Sequence, residues 1–288
     1  MNLSMTGELA AAYTSGAQRA RVVTESWGES NLYCPNCSSP KLTWLEPGHP
    51  ASDYSCPKCN FWYQLKSQKS RLGDSITDGA YRAMMDAIKR DELPSFYFMQ
   101  YDLGTWSVRN LLLVPHFAFP PSAIIKRKPL SATARRAGWI GCNFNLSRIP
   151  AEARIWLVTT TAQSGAGFSP AQRARQRGPF AGSADAGRRD ACPTLIATPE
   201  EVREKFKKVK PLKELSVKER GWTLDVLNGV RSLGKKEFTN TDAYTLAGQL
   251  EKLHPDNRHV RDKIRQQLQV LRDAKLLIHV GRALWRLP

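Results

Sequence analysis

Ala51-Ser-Asp-Tyr-Ser-Cys-Pro-Lys-Cys-Asn-Phe-Trp-Tyr-Gln-Leu-Lys66 alternates apolar and polar residues after a Cys-x2-Cys turn. Successive side chains of a strand point to opposite faces, so the pattern predicts strand, knuckle, strand. Phe61, Tyr63 and Leu65 fall on one face, and Trp62, Gln64 and Lys66 on the other. A hairpin turning at Pro57-Lys58 sets Asp53 across from the second group, although a one-residue slip in pairing would change its face.

The knuckle has a counterpart upstream. Cys34-Pro-Asn-Cys37 and Cys56-Pro-Lys-Cys59 together read C-x2-C-x18-C-x2-C, the spacing of a structural zinc site. Two residues between thiolates let each knuckle present both sulfurs to one ion, and two knuckles complete a tetrahedron. Paired disulfides are the alternative. The N-terminus lacks a basic region followed by an apolar one, so the expected compartment is the cytoplasm, where thiols stay reduced and zinc is favoured. Cys142 and Cys192 have no such company and read as incidental.

The second face of the hairpin gathers an acid, an amide oxygen and an ammonium. Asp53 and Gln64 offer oxygens suited to Mg²⁺, a hard cation that keeps several waters. Lys66 could orient an attacking water and offset charge developing on a phosphate. D-x10-Q-x-K alone also fits solvated residues on the outside of a hairpin.

Length and charge set the wider frame. A chain of 288 residues favours two domains. Its 43 Lys+Arg against 26 Asp+Glu, a formal +17, would concentrate a polyanion at the surface. Nucleic acid fits better than a membrane, since no run of 18 apolar residues and no lipid-anchor motif accompanies the charge. No obligate protein partner is implied.

Helical pattern covers residues 5–28 and 78–93, whereas Phe96-Tyr-Phe-Met-Gln-Tyr101, Leu111-Leu-Leu-Val114 and Ile155-Trp-Leu-Val158 read as buried strands. Residues 163–198, rich in Ala, Gly, Ser, Arg and Pro, cannot bury enough surface to offset their ordering entropy and read as a flexible basic insertion. Helices are expected over 216–233, from 239 or 240 to 253, and over 257–275, followed by a hairpin over 276–287 turning at Gly281. On the third helix Val260, Ile264, Leu268 and Leu271 share an arc, with Arg258, Arg265, Gln266 and Gln269 opposite. Helices followed by a hairpin make a winged helix, whose third helix can enter the major groove, where Arg suits guanine and Gln suits adenine. Arg282 and Arg286 on the wing would then meet phosphates. A charged helix face can equally be a merely solvated one.

The chain as a whole resembles the DpnI-type methyl-directed restriction endonucleases. Gln18-Arg-Ala-Arg-Val-Val-Thr-Glu-Ser-Trp27, Tyr33-Cys-Pro-Asn-Cys37, Asp78-Gly-Ala-Tyr-Arg-Ala-Met-Met85, Arg127-Lys-Pro-Leu130, Thr133-Ala-Arg-Arg-Ala-Gly-Trp-Ile-Gly-Cys142, Arg220-Gly-Trp-Thr223 and Lys263-Ile-Arg-Gln-Gln-Leu-Gln269 carry the resemblance. It implies a PD-(D/E)XK nuclease: an α/β restriction-endonuclease-like core, a mixed sheet flanked by helices, with an inserted zinc knuckle pair and a winged-helix C-terminal domain. The implied boundaries are 1–162 for the nuclease, 163–198 for the insertion and 199–288 for the winged helix. The implied activity is Mg²⁺-dependent cleavage of double-stranded GATC carrying N6-methylated adenine.

In the same frame Asp53, Gln64 and Lys66 form the catalytic set, with Asp53 and Gln64 holding the magnesium. Glu25 matches an acid that the family's first helix brings to the metal. Arg135 or Arg136 could read guanine, and Trp139 could pack against the adenine methyl group; otherwise Trp139 is a core aromatic and the arginines meet phosphates. Gln64 stands where the family's usual motif has an acid. Other branches of the superfamily use Q-x-K, but a catalytically inactive zinc-containing DNA-binding regulator is the second reading. An RNA-binding zinc ribbon is weaker still, for want of an RNA-stacking aromatic signature.

Overall fold

The computed structural model describes residues 1–46, 52–160 and 194–288; Ala51, Cys192 and residues 163–193 of the expected insertion lie outside the described residues. The chain opens with a 3-10 turn, Gly7–Ala12, and helix α1, Gly16–Asn31. Strands β1 (Thr43–Trp44), β2 (Tyr54–Ser55), β3 (Trp62–Gln68) and β4 (Ser75–Ala80) precede helix α2 (Tyr81–Arg90). Next come β5 (Ser95–Asp102), β6 (Ser107–Val114), β7 (Ile124–Lys126), β8 (Gly141–Asn145) and β9 (Ile155–Thr160). The C-terminal part holds β10 (Thr194–Ile196), α3 (Pro199–Val209), α4 (Val217–Ser232), β11 (Glu237–Thr239) and α5 (Asn240–Tyr244). It ends with α6 (Ala247–Leu253), α7 (Val260–Asp273), β12 (Ile278–Gly281) and β13 (Leu284–Arg286).

The chain divides into two compact units. The first comprises Met1–Leu72, Pro94–Val114 and Arg154–Phe206; the second comprises Gly73–Leu93, Pro115–Ala153 and Lys207–Pro288. This division differs from the boundaries expected at 162 and 199, because residues distant in sequence share cores.

In the first unit a mixed seven-stranded sheet runs in the order β1-β2-β3-β5-β6-β9-β10. Its one parallel pair is β3 with β5. Phe96, Tyr97, Phe98 and Met99 of β5 and Leu111, Leu112 and Leu113 of β6 are all fully buried, as expected of central strands covered on both faces. Each such side chain contributes about 1.5 to 3 kcal/mol on removal from water. Helix α1 packs on β3, burying Val23 and Trp27, and the Thr24 hydroxyl lies 3.1 Å from that of Ser67. The helix predicted over residues 5–28 is thus two pieces, interrupted at residues 13–15.

β10 corrects the expected insertion at its C-terminal end: Thr194, Leu195 and Ile196 pair with Thr160, Thr159 and Val158. The buried Leu195 anchors it to the sheet. The residues of helix α3 through Phe206, which the expected boundary at 199 placed with the winged helix, belong to the first unit, where Phe206 meets Phe61 edge-on at 6.3 Å between ring centres.

The second unit joins a small sheet, β4-β8-β7, and helix α2 to the helices and wing of residues 207–288. The helix expected over 78–93 starts later, because residues through Ala80 extend β4 against β8. Capping boxes start two helices, Ser216 with Glu219 for α4 and Thr239 with Asp242 for α5, as their S/T-x-x-D/E spacing predicts. Val260, Ile264, Leu268 and Leu271 of α7 are buried together. The wing gains a third strand, in the order β11-β13-β12, and turns at Arg282-Ala283 rather than Gly281, with Ala283 at φ 57°. No described helix is long and apolar enough to cross a membrane.

Candidate functional site

Hairpin β2-β3 pairs Tyr54 with Tyr63 and Ser55 with Trp62, and Asp53 immediately precedes the paired residues. Asp53 donates its backbone N–H to the Tyr63 carbonyl at 2.9 Å, and its Oδ2 accepts the Leu65 N–H at 2.8 Å. Tyr63 and Leu65 are buried, whereas Trp62, Gln64 and Lys66 are more open, so the two faces divide as the alternation predicts.

Glu25 comes to the same place from α1. The Tyr54 hydroxyl donates to the Glu25 carbonyl at 2.7 Å, fixing that turn of the helix to β2. Burial raises the Asp53 carboxyl above the usual carboxylate range. The Leu65 N–H opposes that rise, the Glu25 carboxylate adds to it, and Lys66 and Arg21 offset it. Two carboxylates and two cations thus act on one another at the sheet surface. Arg21 was not singled out by motif; the signal that could have found it is its i,i+4 spacing to Glu25, which it holds at 2.6 Å. The donors Asp53, Glu25 and the Gln64 carbonyl are all hard oxygens, a set that fits Mg²⁺.

The other face of β3 supports the cysteines. The Sγ atoms of Cys34, Cys37, Cys56 and Cys59 all lie within 4.8 Å of one another. Cys34 to Cys59 is 3.6 Å and Cys37 to Cys56 is 3.5 Å. Tetrahedral zinc at about 2.3 Å from each sulfur sets sulfurs about 3.8 Å apart, whereas a disulfide requires about 2.05 Å; the four thiols are free and could hold zinc.

Groups around the thiols suit thiolates. The Tyr63 hydroxyl lies 3.2 Å from Cys34 Sγ, Asn36 Nδ2 donates to Cys59 Sγ at 3.3 Å, and the Ser39 N–H donates to Cys37 Sγ at 3.4 Å. Burial raises the Cys34 thiol. At Cys56 burial acts the same way but is outweighed by the N–H groups of Lys58 and Cys59, which bring the thiol down to about 7. Arg203 of α3 donates to the carbonyls of Cys34, Cys37 and Ser39 at 2.9 to 3.2 Å, bracing the first knuckle; nothing local in the sequence marks it. Cys142 is buried in β8, apart from this cluster, as expected of an incidental cysteine.

In the second unit Trp139 stands between β7 and β8, in a cleft of about 670 Å³ shared with Tyr81, Met85, Lys89 and Lys126. A Cβ on Gly141 would come within 2.8 Å of the Trp139 ring, so glycine permits this placement. The Arg136 guanidinium lies over the same ring at 4.8 Å, and Arg135 is exposed. Trp139 is half-buried.

In the second unit Arg265, Gln266 and Gln269 are also exposed, along α7, and Lys263 Nζ donates to Gln266 Oε1 at 2.8 Å. Arg258 precedes the helix, which begins at Val260. Arg282 is exposed at the wing tip, while Arg286 lies 3.6 Å from Glu237 on the neighbouring strand. The hairpin set and the Trp139 and α7 sets therefore belong to different units.

Residues 1–165, more than half of the chain, match the family described as DpnI, the Dam-replacing family, and residues 218–286 match the Dam-replacing HTH domain.

Proposed function

Because the chain belongs to the Dam-replacing family, we propose that it is a methyl-directed, Mg²⁺-dependent endonuclease of double-stranded DNA, cutting GATC with N6-methylated adenine. What supports this most is the hairpin that brings Asp53, whose Oδ2 accepts the Leu65 N–H, to the strand that carries Gln64 and Lys66 on one face. We assign residues 1–162 the nuclease role and residues 199–288 the winged-helix grip, with 163–198 between them, whatever the packing of individual segments.

Asp53, Glu25 and the Gln64 carbonyl would hold the ion, which supplies Lewis-acid polarisation of the scissile phosphate. Lys66 orients the attacking water and balances charge that grows on the phosphate oxygens. Gln64 lowers the negative charge at the ion by one relative to an acid, so metal binding is weaker than with Glu there. Arg135 would read guanine, and Trp139, with Tyr81 and Met85 beside it, offers an apolar surface for the adenine methyl group. Arg136, already over the Trp139 ring, is left to a neighbouring phosphate. Arg258, Arg265, Gln266, Gln269, Arg282 and Arg286 form the duplex-binding face. Zinc in the four cysteines keeps β2 and β3 in register.

Purified protein with Mg²⁺ is expected to cut adenine-methylated plasmid and spare unmethylated plasmid. Lys66→Ala should lower cutting about a thousandfold, and Gln64→Glu should reduce the Mg²⁺ needed. Equal cutting of both plasmids would remove the methyl dependence, and a fully active Lys66→Ala would remove the site. Salt-sensitive binding with intact DNA at every Mg²⁺ concentration would leave the second reading, a DNA-binding regulator, which Gln64 motivates.

A further inference from the structure

An exposed Arg–Glu pair four residues apart on a helix is ordinarily a minor surface feature. The pair here is not symmetric. Arg21 is 57% exposed, but the Glu25 carboxylate it holds at 2.6 Å is only 15% exposed and lies close enough to Asp53 to raise its carboxyl. The guanidinium is thus the outward half of a charge cluster whose inward half is two acids and Lys66. Formally the four charges cancel, with two negative and two positive.

A divalent cation entering this cluster needs the acids, and Gln64 contributes no charge. Glu25 must then supply what an acid at position 64 would have supplied, yet Glu25 is already engaged. We propose that Arg21 is a positioning residue that competes with the metal ion for Glu25, so that the DNA-free protein binds its divalent ion weakly. The inference rests on the metal reading given above. On loading, the guanidinium gives up the Glu25 carboxylate and, being mostly exposed, turns outward toward the phosphate-bearing partner. Arg21 thus holds the site near zero net charge, so that it favours a cation only when a further anion arrives.

Mn²⁺ is a suitable probe because it accepts the same oxygen donors as Mg²⁺, and free Mn²⁺ can be counted by electron paramagnetic resonance without DNA or turnover. Zinc-loaded, full-length protein is titrated as wild type, Arg21→Gln, Arg21→Lys, Glu25→Gln and the double variant Arg21→Gln/Glu25→Gln. Arg21→Gln should tighten Mn²⁺ about tenfold, as expected from removing a unit charge at a few ångströms in a partly screened site. Arg21→Lys, which keeps the charge, should stay near wild type, which a purely structural role of Arg21 would not predict. In the Glu25→Gln background the Arg21→Gln effect should shrink severalfold, because the contested ligand is gone.

Unchanged or weaker Mn²⁺ binding by folded Arg21→Gln overturns the competition. If Asp53→Asn leaves wild-type Mn²⁺ binding untouched, the metal reading of the hairpin falls, and this inference with it. Loss on Asp53→Asn without tightening on Arg21→Gln removes Arg21 alone.

Discussion

In the first unit the polar groups around the cysteines are thiols, the Tyr63 hydroxyl and amides, arranged around one small volume, the space among four sulfurs. In the second unit charged groups pair directly across the chain: Arg220 with Asp91, Arg231 with Glu152, and His254 Nε2 with Asp225 at 2.9 Å. Ser122 also donates to Asp225, and His254 stacks on Trp222 at 3.8 Å between ring centres. The first arrangement could be completed by an ion from solution. The second is complete in the chain itself but depends on every partner staying in place. One unit should therefore respond to chelators and the other to pH and to the loss of single partners.

The strongest test of that contrast is metal removal. A structural zinc held by four cysteines contributes on the order of 10 kcal/mol, comparable to the stability of a whole domain. Chelation under reducing conditions, or Cys56→Ser, is expected to unfold the hairpin and raise hydrogen exchange across β2 and β3, while α4 and α7 stay protected. Equal loss of protection in both units would show that they do not differ in this way.

The second unit should break at a single partner. Asp225 is 2% exposed at its side chain, so His254→Ala leaves a buried carboxylate held only by Ser122 and also removes the ring on Trp222. A cost of about 3 kcal/mol is expected in denaturant melts of the unit. Asp225→Asn added to that variant should recover part of it, since the stranded charge is then gone. A larger loss in the double variant would mean that packing on Trp222, not charge, is what His254 provides.

Acid gives a milder version of the same loss. Burial lowers His116 to about 4; Arg220 and Lys213 push the same way and Asp91 opposes them. The folded value lies below the unfolded one of about 6.5. The neutral imidazole's contribution is therefore fully present above pH 6.5 and is lost as pH falls through about 4. By pH 5 the second unit should lose about 2 kcal/mol through this group, and His116→Gln should flatten that part of the pH profile. A slope unchanged by His116→Gln would assign it to other groups.

Local and long-range features were unequally legible in the sequence. The hairpin could be read because period-2 alternation and the Cys56-x2-Cys59 turn act within sixteen residues, whereas the side taken by Asp53 could not, since a one-residue slip would change it. The helices of residues 216–275 could be read because Ser216, Glu219, Thr239 and Asp242 are cap residues at cap spacing. The membership of residues 73–93 and 115–153 in the second unit could not. It depends on contacts such as Asp91 with Arg220, separated by 129 positions, and neither residue carries a local mark of its partner. Arg203 escaped for the same reason, since three carbonyls on another segment leave no pattern around it. At the candidate site, Asp53, Gln64 and Lys66 were visible as a spaced set, Glu25 only through the family resemblance, and Arg21 only through its i,i+4 spacing to Glu25.

The smallest effect separates two arginines of the wing that the sequence treats alike. Arg282 is exposed at the turn, whereas Arg286 is tied to Glu237 across the β11-β13 pair. A cation that neutralises a DNA phosphate releases about one counterion, so its removal lowers the salt slope by about one unit. A cation already facing a carboxylate must first give up that partner. Arg282→Ala should therefore weaken duplex binding and reduce the slope of log affinity against log salt by about one, with stability changed by less than about 0.5 kcal/mol. Arg286→Ala should change the slope less, and Glu237→Gln should tighten binding slightly by releasing Arg286. Binding measured by fluorescence anisotropy at several salt concentrations distinguishes them, and equal slope changes for the two arginines would mean that the Glu237 pair opens whenever DNA is near.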